Sequence, residues 1–121
     1  MILSHTNLPV RNYVSSKAFN GYTLFAPMGG CGVWLIDMKG EFVHHWEMDL
    51  EPACHGILLP NGNLLCAIKL PDAPFPEFGG MGGKLVEMDW EGHVVWEHED
   101  RFMHHDFSRL PNGNSMVLRW V

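Results

Sequence analysis

The sequence predicts an all-β fold, and three observations support this prediction. No segment of the 121 residues has the sustained 3.6-residue apolar period of an amphipathic helix. Asn-Gly follows a short apolar run at residues 61–62 and again at 112–113, and this dipeptide favours a type I′ turn, in which both central residues have positive φ. An Asp-x-x-Gly turn begins at Asp37 and again at Asp89. The chain therefore reads as short strands joined by repeated tight turns.

Two regions fall outside this strand pattern. Residues 1–20 are polar and without period, which predicts an N-terminal arm. Residues 70–83 contain three prolines and four glycines, and these residues disfavour both helix interiors and central strands. We therefore expect a long loop there, and long loops inside compact domains are often functional. Residues 21–121 account for about nine predicted strands.

The strands repeat at the spacing of a β-propeller blade. Asp37 and Asp89 are 52 residues apart, and a four-stranded repeat of about that length is typical of propellers. Residues 55–97 form one complete repeat, with three strands of a preceding repeat at 21–48 and two of a following one at 101–121. We expect part of a β-propeller, about two blades. Since propellers typically close with about 4–8 blades, other copies, a second chain or a continuation of this polypeptide would complete the ring.

The composition argues against several classes of protein. The net charge is −6 and the 8 Lys and Arg residues are scattered, whereas a nucleic-acid surface needs clustered basic residues. The 3 cysteines have no C-x-x-C spacing, so they indicate neither a disulfide framework nor a zinc site. No signal peptide is visible, and no apolar stretch is long enough to span a membrane. We expect a cytoplasmic protein without a membrane partner, or a periplasmic one if a leader has been removed.

Histidines lead both Asn-Gly hairpins, and they are the candidate catalytic residues. His55 and His105 are 50 residues apart. If their strands line the central channel of a propeller, the two side chains lie at the same height and converge on one ligand. His104 and His105 should face opposite sides of their strand, and we favour His105 for the channel. Asp106 is expected to orient a neighbouring imidazole, and Arg109 and His104 to bind an anionic substrate. Structural alternatives remain: strand-end capping for the histidines, backbone bonding for Asp106 and a surface position for Arg109.

Several runs resemble, taken together and in order, the N-terminal part of the bacterial arylsulfate sulfotransferases. Singly, such turn motifs are common in β-propellers, but their combination is fairly specific. The runs are GYTLF at 21–25, LIDMKGEFVHHW at 35–46, PNGN at 60–63, DWEGHVVWE at 89–97 and HHDFSRLPNGN at 104–114.

The resemblance implies a six-bladed propeller that transfers a sulfuryl group from a phenolic sulfate ester to a phenol. A histidine carries the group between the half-reactions, and no nucleotide donor or other cofactor is required. Many members of the family are periplasmic. This chain is shorter than the family, so the histidine that becomes sulfated could lie beyond Val121.

Two other functions remain open from the sequence. A metal-dependent propeller enzyme, such as a lyase, could use His55, His105 and Asp106, since three protein ligands are usual at a catalytic metal. The absence of an H-x-H or H-E-x-x-H spacing weakens that alternative. The second alternative is a non-catalytic propeller segment that serves as a binding or assembly module.

Overall fold

The computed structural model describes residue 10 and residues 12–121 of the chain. This part contains nine strands and no helix, which confirms the predicted all-β class. The predicted arm at 1–20 falls largely on residues 1–9 and 11, which lie outside the described residues. Its described remainder forms no strand.

The strands form three antiparallel sheets of three, four and two strands. We call them the first sheet (β1–β3), the central sheet (β4–β7) and the last sheet (β8 and β9). In chain order the strands are β1 (Thr23–Phe25), β2 (Gly32–Ile36), β3 (Phe42–Glu47), β4 (Pro52–Leu58), β5 (Leu64–Lys69), β6 (Gly83–Met88), β7 (Val94–Glu99), β8 (Met103–Arg109) and β9 (Ser115–Arg119).

The four tightest hairpin turns share one construction. After β4, the amide of Gly62 donates to the carbonyl of Leu59 at 2.9 Å, and the amide of Leu59 donates to the carbonyl of Asn63 at 2.8 Å. Gly62 has φ +88°, whereas Asn61 does not have positive φ. The predicted type I′ turn is therefore wrong: Pro60 fixes a type I turn, and only the glycine after it enters the left-handed region. The same bonds recur in the turns that end at Gly40, Gly92 and Gly113.

The central sheet is covered on both faces, and β5 lies at its middle. Leu64, Cys66 and Ile68 pack against the first sheet, while Leu65 and Ala67 pack against the last sheet. All five side chains are buried because successive strand residues point to opposite faces. This explains why β5 is a continuous apolar run without alternation.

The last sheet carries an apolar face that nothing described in the chain covers. The Asn-Gly turns at 61–62 and 112–113 are 51 residues apart. Met116 and Leu118 are therefore the counterparts of Leu65 and Ala67 one repeat earlier. Leu65 is 0% exposed in the central sheet, whereas Met116 is 61% exposed. The structure thus ends on the kind of face that the central sheet buries.

Among the described residues, no helix has the length and apolar character needed to cross a membrane.

Candidate active site

The first strands of the central and last sheets, β4 and β8, lie side by side and carry matching bulges. In β8, His104 pairs with Leu118 and Phe107 with Val117, so two residues of β8 have no partner on β9. In β4, the register likewise shifts between Pro52 and Gly56. A bulge bends a strand and re-aims its side chains, and bulges are common near active sites.

The register identifies the true counterpart of His55. Gly56 pairs with Cys66 as Phe107 pairs with Val117, so the repeat offset at this position is 51 residues. His55 therefore corresponds to Asp106, and the expected equivalence of His55 and His105 is wrong by one residue. A one-residue shift matters physically because it moves a side chain to the other face of a strand.

His55 and Asp106 meet across the junction between the central and last sheets. The Nε2 atom of His55 lies 3.6 Å from Oδ1 of Asp106, an ion-pair distance when the imidazole is protonated. The two side chains are 44% and 68% exposed. The His55 ring stacks on Phe107 with a centroid separation of 4.7 Å and an interplanar angle of 6°, and the amide of Phe107 donates to Oδ1 of Asp106 at 2.8 Å. Both partners are therefore held in place yet open to solvent.

His104 and His105 also lie in contact, contrary to the expectation that they face opposite sides. Their Nδ1 atoms are 3.0 Å apart, so one nitrogen donates a proton and the other accepts it. His105 has φ +57°, which is uncommon for a residue with a side chain. This conformation interrupts the strand alternation and turns the two imidazoles toward each other.

The loop predicted at 70–83 packs against His105; in the structure it comprises residues 70–82, and we call it the Pro/Gly loop. The amide of His105 donates to the carbonyl of Gly80 at 2.7 Å. Gly80 has φ +75°, and a Cβ atom there would lie 2.5 Å from Cδ2 of His105. Only glycine allows this approach without displacing the imidazole.

The Pro/Gly loop and the end of β5 line a cavity of about 310 Å³ that is open to solvent on one side. Lys69, Phe78, Gly80 and Met81 are among the residues that line it. Beside it is an aromatic cluster formed by Phe75, Phe78 and Trp120, whose ring centroids are 6.0 to 6.1 Å apart.

Arg109 lies at the other end of β8 and has partners of its own. Its Nη2 atom donates to Oε2 of Glu87 at 2.9 Å, and its guanidinium lies over the ring of Trp96, 5.1 Å from the centroid. Asp106 precedes it by three residues, or roughly 10 Å along a strand. The structure therefore brings His55 close to Asp106 and His104 close to His105, and gives Arg109 an ion pair between sheets.

Cys54 and Phe107 belong to this region although the sequence did not single them out. Cys54 is the counterpart of His105 at the 51-residue offset, and it is exposed. Partial burial raises the pKa of its thiol. The positive charge of Lys69 lowers this pKa, and the negative charge of Asp106 raises it further. An alignment of the Asn-Gly turns, rather than of the histidines, would have revealed both residues.

The metal-dependent alternative has no ligand set in the part of the chain that the structure describes. Within it, no group of three or more His, Cys, Asp or Glu residues is arranged to hold a metal ion. Comparison of the chain with protein-family models, with curated proteins and with solved structures found no match. The functional interpretation therefore depends on the geometry of the chain itself.

Proposed function

We propose that this chain supplies a histidine-centred site for arylsulfotransferase-like chemistry, in which a sulfuryl group passes from a phenolic sulfate ester to a phenol. The observation that carries the proposal is the His55–Asp106 pair, 3.6 Å apart and open to solvent at the junction of two sheets. A nucleophilic imidazole needs a neighbouring group that fixes its tautomer and stabilises the positive charge that develops on it. Asp106 is placed to do both.

The first half-reaction forms a bond between His55 and sulfur. We assign Nδ1 of His55 as the nucleophile, because Nε2 is the ring nitrogen that lies near Asp106, at 3.6 Å from Oδ1, and a proton on Nε2 leaves the lone pair on Nδ1. The new N–S bond forms as the S–O bond to the aryl group breaks, and the electron pair leaves on the phenolate. The stacked ring of Phe107 keeps the imidazole plane fixed during this step.

The second half-reaction reverses the first with a different phenol. The acceptor oxygen attacks sulfur, the N–S bond breaks and the electron pair returns to Nδ1 of His55. The proton that the acceptor phenol loses balances the one that the released phenolate takes up, so no further reactant is needed. His104 and His105, which are in contact with each other, are candidate donors for the sulfuryl oxygens, where charge changes in the transition state.

We propose that the three sheets are consecutive blades of a β-propeller that other copies, a second chain or a continuation of this polypeptide complete. The first, central and last sheets stack in chain order, and their contacts involve the early strands β1, β4 and β8. This is the arrangement expected of neighbouring blades around a channel. A shared channel would also bring substrate to the two strands that carry His55 and Asp106.

The test of the transfer reaction uses 4-nitrophenyl sulfate as donor and phenol as acceptor, with the assembled protein. We expect release of 4-nitrophenol that depends on phenol, and a mass increase of one sulfuryl group on a peptide containing His55 when the acceptor is omitted. His55→Ala should abolish both signals. Asp106→Asn should slow transfer by about 10²-fold or more, because it removes the charge that orients the imidazole.

His93→Ala is the matched control for the histidine substitution. His93 also pairs with an aspartate, with Nδ1 3.1 Å from Oδ2 of Asp89, but it lies in a turn. Its variant should transfer at the wild-type rate. Transfer that survives His55→Ala, or a sulfated peptide that lacks His55, would contradict the proposal.

A second candidate function, a non-catalytic assembly module, is favoured by the uncovered face of the last sheet. Met116 and Leu118 are 61% and 51% exposed, whereas their counterparts in the central sheet are buried. Exposed apolar faces of this kind mark association sites, and the repeat argues that a further sheet of the same type, from a second copy, covers them.

The assembly function is tested by light scattering coupled to size-exclusion chromatography. We expect the chain to associate and Leu118→Glu to shift it toward the monomer, while Met28→Glu, at a position 94% exposed and outside this face, has no effect. A monomeric wild-type chain would contradict this function. Association together with no sulfuryl transfer would favour it over the enzyme.

A further inference from the structure

We propose that the cavity under the Pro/Gly loop is the binding site for the aryl ring of the sulfate ester. This inference rests on the proposed transfer function, and it names the part of the chain that recognises the substrate. It is drawn from the size of the cavity, the chemistry of its wall and the packing of His105 against Gly80, one of the wall residues.

The size of the cavity suits one substituted ring. Its volume is about 310 Å³, at the lower end of the range for ligand sites. A cavity of roughly 150 Å³ is enough for benzene, so one ring with a sulfate group fits. Phe78, Pro71, Pro76 and Met81 contribute apolar atoms to the wall.

The aromatic cluster offers a surface on which a ring can pack. Phe78 lines the cavity and is 52% exposed. Phe75 and Trp120 support it from the side, each as a tilted pair with a centroid distance in the range typical of aromatic contacts. Covering a half-exposed aromatic cluster with a flat apolar ligand removes apolar surface from water, which stabilises the complex.

The charge at two points of the wall matches an aryl sulfate. The ammonium of Lys69 lies 3.0 Å from Oε1 of Glu51 and its side chain is 37% exposed, so further N–H donors remain for an anionic oxygen. Gly80 lines the cavity, and the His105 ring packs against Gly80 and is paired with His104. Glu77 also lines the cavity, and its carboxylate repels an anion, so the sulfate would lie beside Lys69 instead.

The test measures binding of 4-nitrophenyl sulfate to the full chain by chemical-shift titration of its backbone amides. We expect the shifts to concentrate in residues 70–82 and at His105. Phe78→Ser should raise the dissociation constant by about tenfold, which corresponds to the loss of one aromatic packing partner. Phe19→Ser, at a position 99% exposed and outside the loop, should leave the constant unchanged.

A pair of glycine variants tests the contact with His105. Gly80→Ala places a Cβ atom 2.5 Å from the His105 ring at φ +75°, and Gly92→Ala imposes comparable backbone strain at φ +90° with no atom within 4 Å. We expect only Gly80→Ala to weaken binding of the probe. Equal effects of the two variants would overturn the role of the contact.

The two proposals fail in different ways. Binding in the loop without any sulfuryl transfer would support the aryl site and overturn the transfer function. Transfer with an unchanged KM and an unchanged dissociation constant in Phe78→Ser would overturn the aryl site and leave the transfer function standing. Absence of binding and of transfer would overturn both.

Discussion

Arg109→Met should destabilise the protein through the interface between the central and last sheets. The guanidinium donates to Oε2 of Glu87 at 2.9 Å, and Asn63 donates to the other carboxylate oxygen at 2.8 Å. The Arg109 and Glu87 side chains are only 22% and 11% exposed. Removing the arginine leaves a nearly buried carboxylate with a single neutral donor.

The magnitude follows from the burial of the pair. Removal of one partner from a buried ion pair typically costs about 3–5 kcal/mol. Glu87 keeps its bond from Asn63, and Nε of Arg109 is buried without a hydrogen-bond partner among the described residues, so part of the cost already exists in the wild type. We therefore expect the lower end, a loss of about 3 kcal/mol in the free energy of unfolding.

Equilibrium urea denaturation measures this loss. With a slope of about 1.5 kcal/mol/M, the expected change moves the midpoint down by about 2 M. Glu87→Gln in the Arg109→Met background should recover part of the loss, because the buried charge is then gone. Arg119→Met is the matched control: Arg119 pairs with Asp100 at 2.8 Å and lies over Phe102, but it is 49% exposed, so its removal should cost about 1 kcal/mol or less.

Two results would refute the reasoning about Arg109. One is a loss of less than about 0.5 kcal/mol, the range of ordinary surface substitutions. The other is a double variant no more stable than Arg109→Met, which would mean that the buried charge of Glu87 is not the source of the effect.

Three further predictions concern stability and reactivity. Trp46→Phe should lose about 2 kcal/mol in urea denaturation, because it leaves a gap and removes the 2.9 Å bond from Nε1 to the carbonyl of Asp89. In native protein at pH 8, Ellman's reagent should modify exposed Cys31 first and Cys54 more slowly; Cys66 should stay unmodified, since burial raises the pKa of its thiol to about 12. Acid should destabilise the fold through Asp89, because hydrogen bonds in its turn, above all the one from the backbone amide of His93, lower the pKa of its carboxyl below the ordinary 3.8. The stability that the ionised carboxylate contributes is therefore present above pH 3.8 and is lost as the pH falls through the folded-state pKa.

Each of these predictions has a result that would contradict it. A Trp46→Phe variant with the same urea midpoint as the wild type would contradict the first prediction. Modification of Cys66 as fast as that of Cys31 would contradict the second. For the acid prediction, Asp89→Asn should make the free energy of unfolding depend less steeply on pH below pH 4. An unchanged slope would assign the acid sensitivity to other groups.

The candidate site was only partly predictable from the sequence. The residues His55, His104, His105 and Asp106 were identified correctly as lying at the starts of the repeated hairpins, since the Asn-Gly turns that follow them are unmistakable. Their arrangement was not, because it depends on the bulge in β8 and on the positive φ of His105. Bulges change which residue faces which without changing the pattern of apolar residues that reveals the strand.

The partners of Arg109 were also out of reach of sequence reasoning. Glu87 and Trp96 lie on β6 and β7, and nothing in their spacing indicates that the turn end of β8 packs over them. Such contacts arise from the way one sheet stacks on another. They are set by the summed packing of many side chains rather than by local pattern.

The sequence by itself determined the strands, the positions of the turns and the all-β class, because each depends on residues close together in the chain: proline and glycine at the turns, and apolar residues along the strands. The tertiary structure alone decided that His55 meets Asp106 rather than His105, and that the Pro/Gly loop packs on His105 through Gly80. Those contacts join residues from different sheets or from distant parts of the chain. Their geometry depends on local backbone twists that one or two residues impose, and a residue pattern with a period of two does not record such twists.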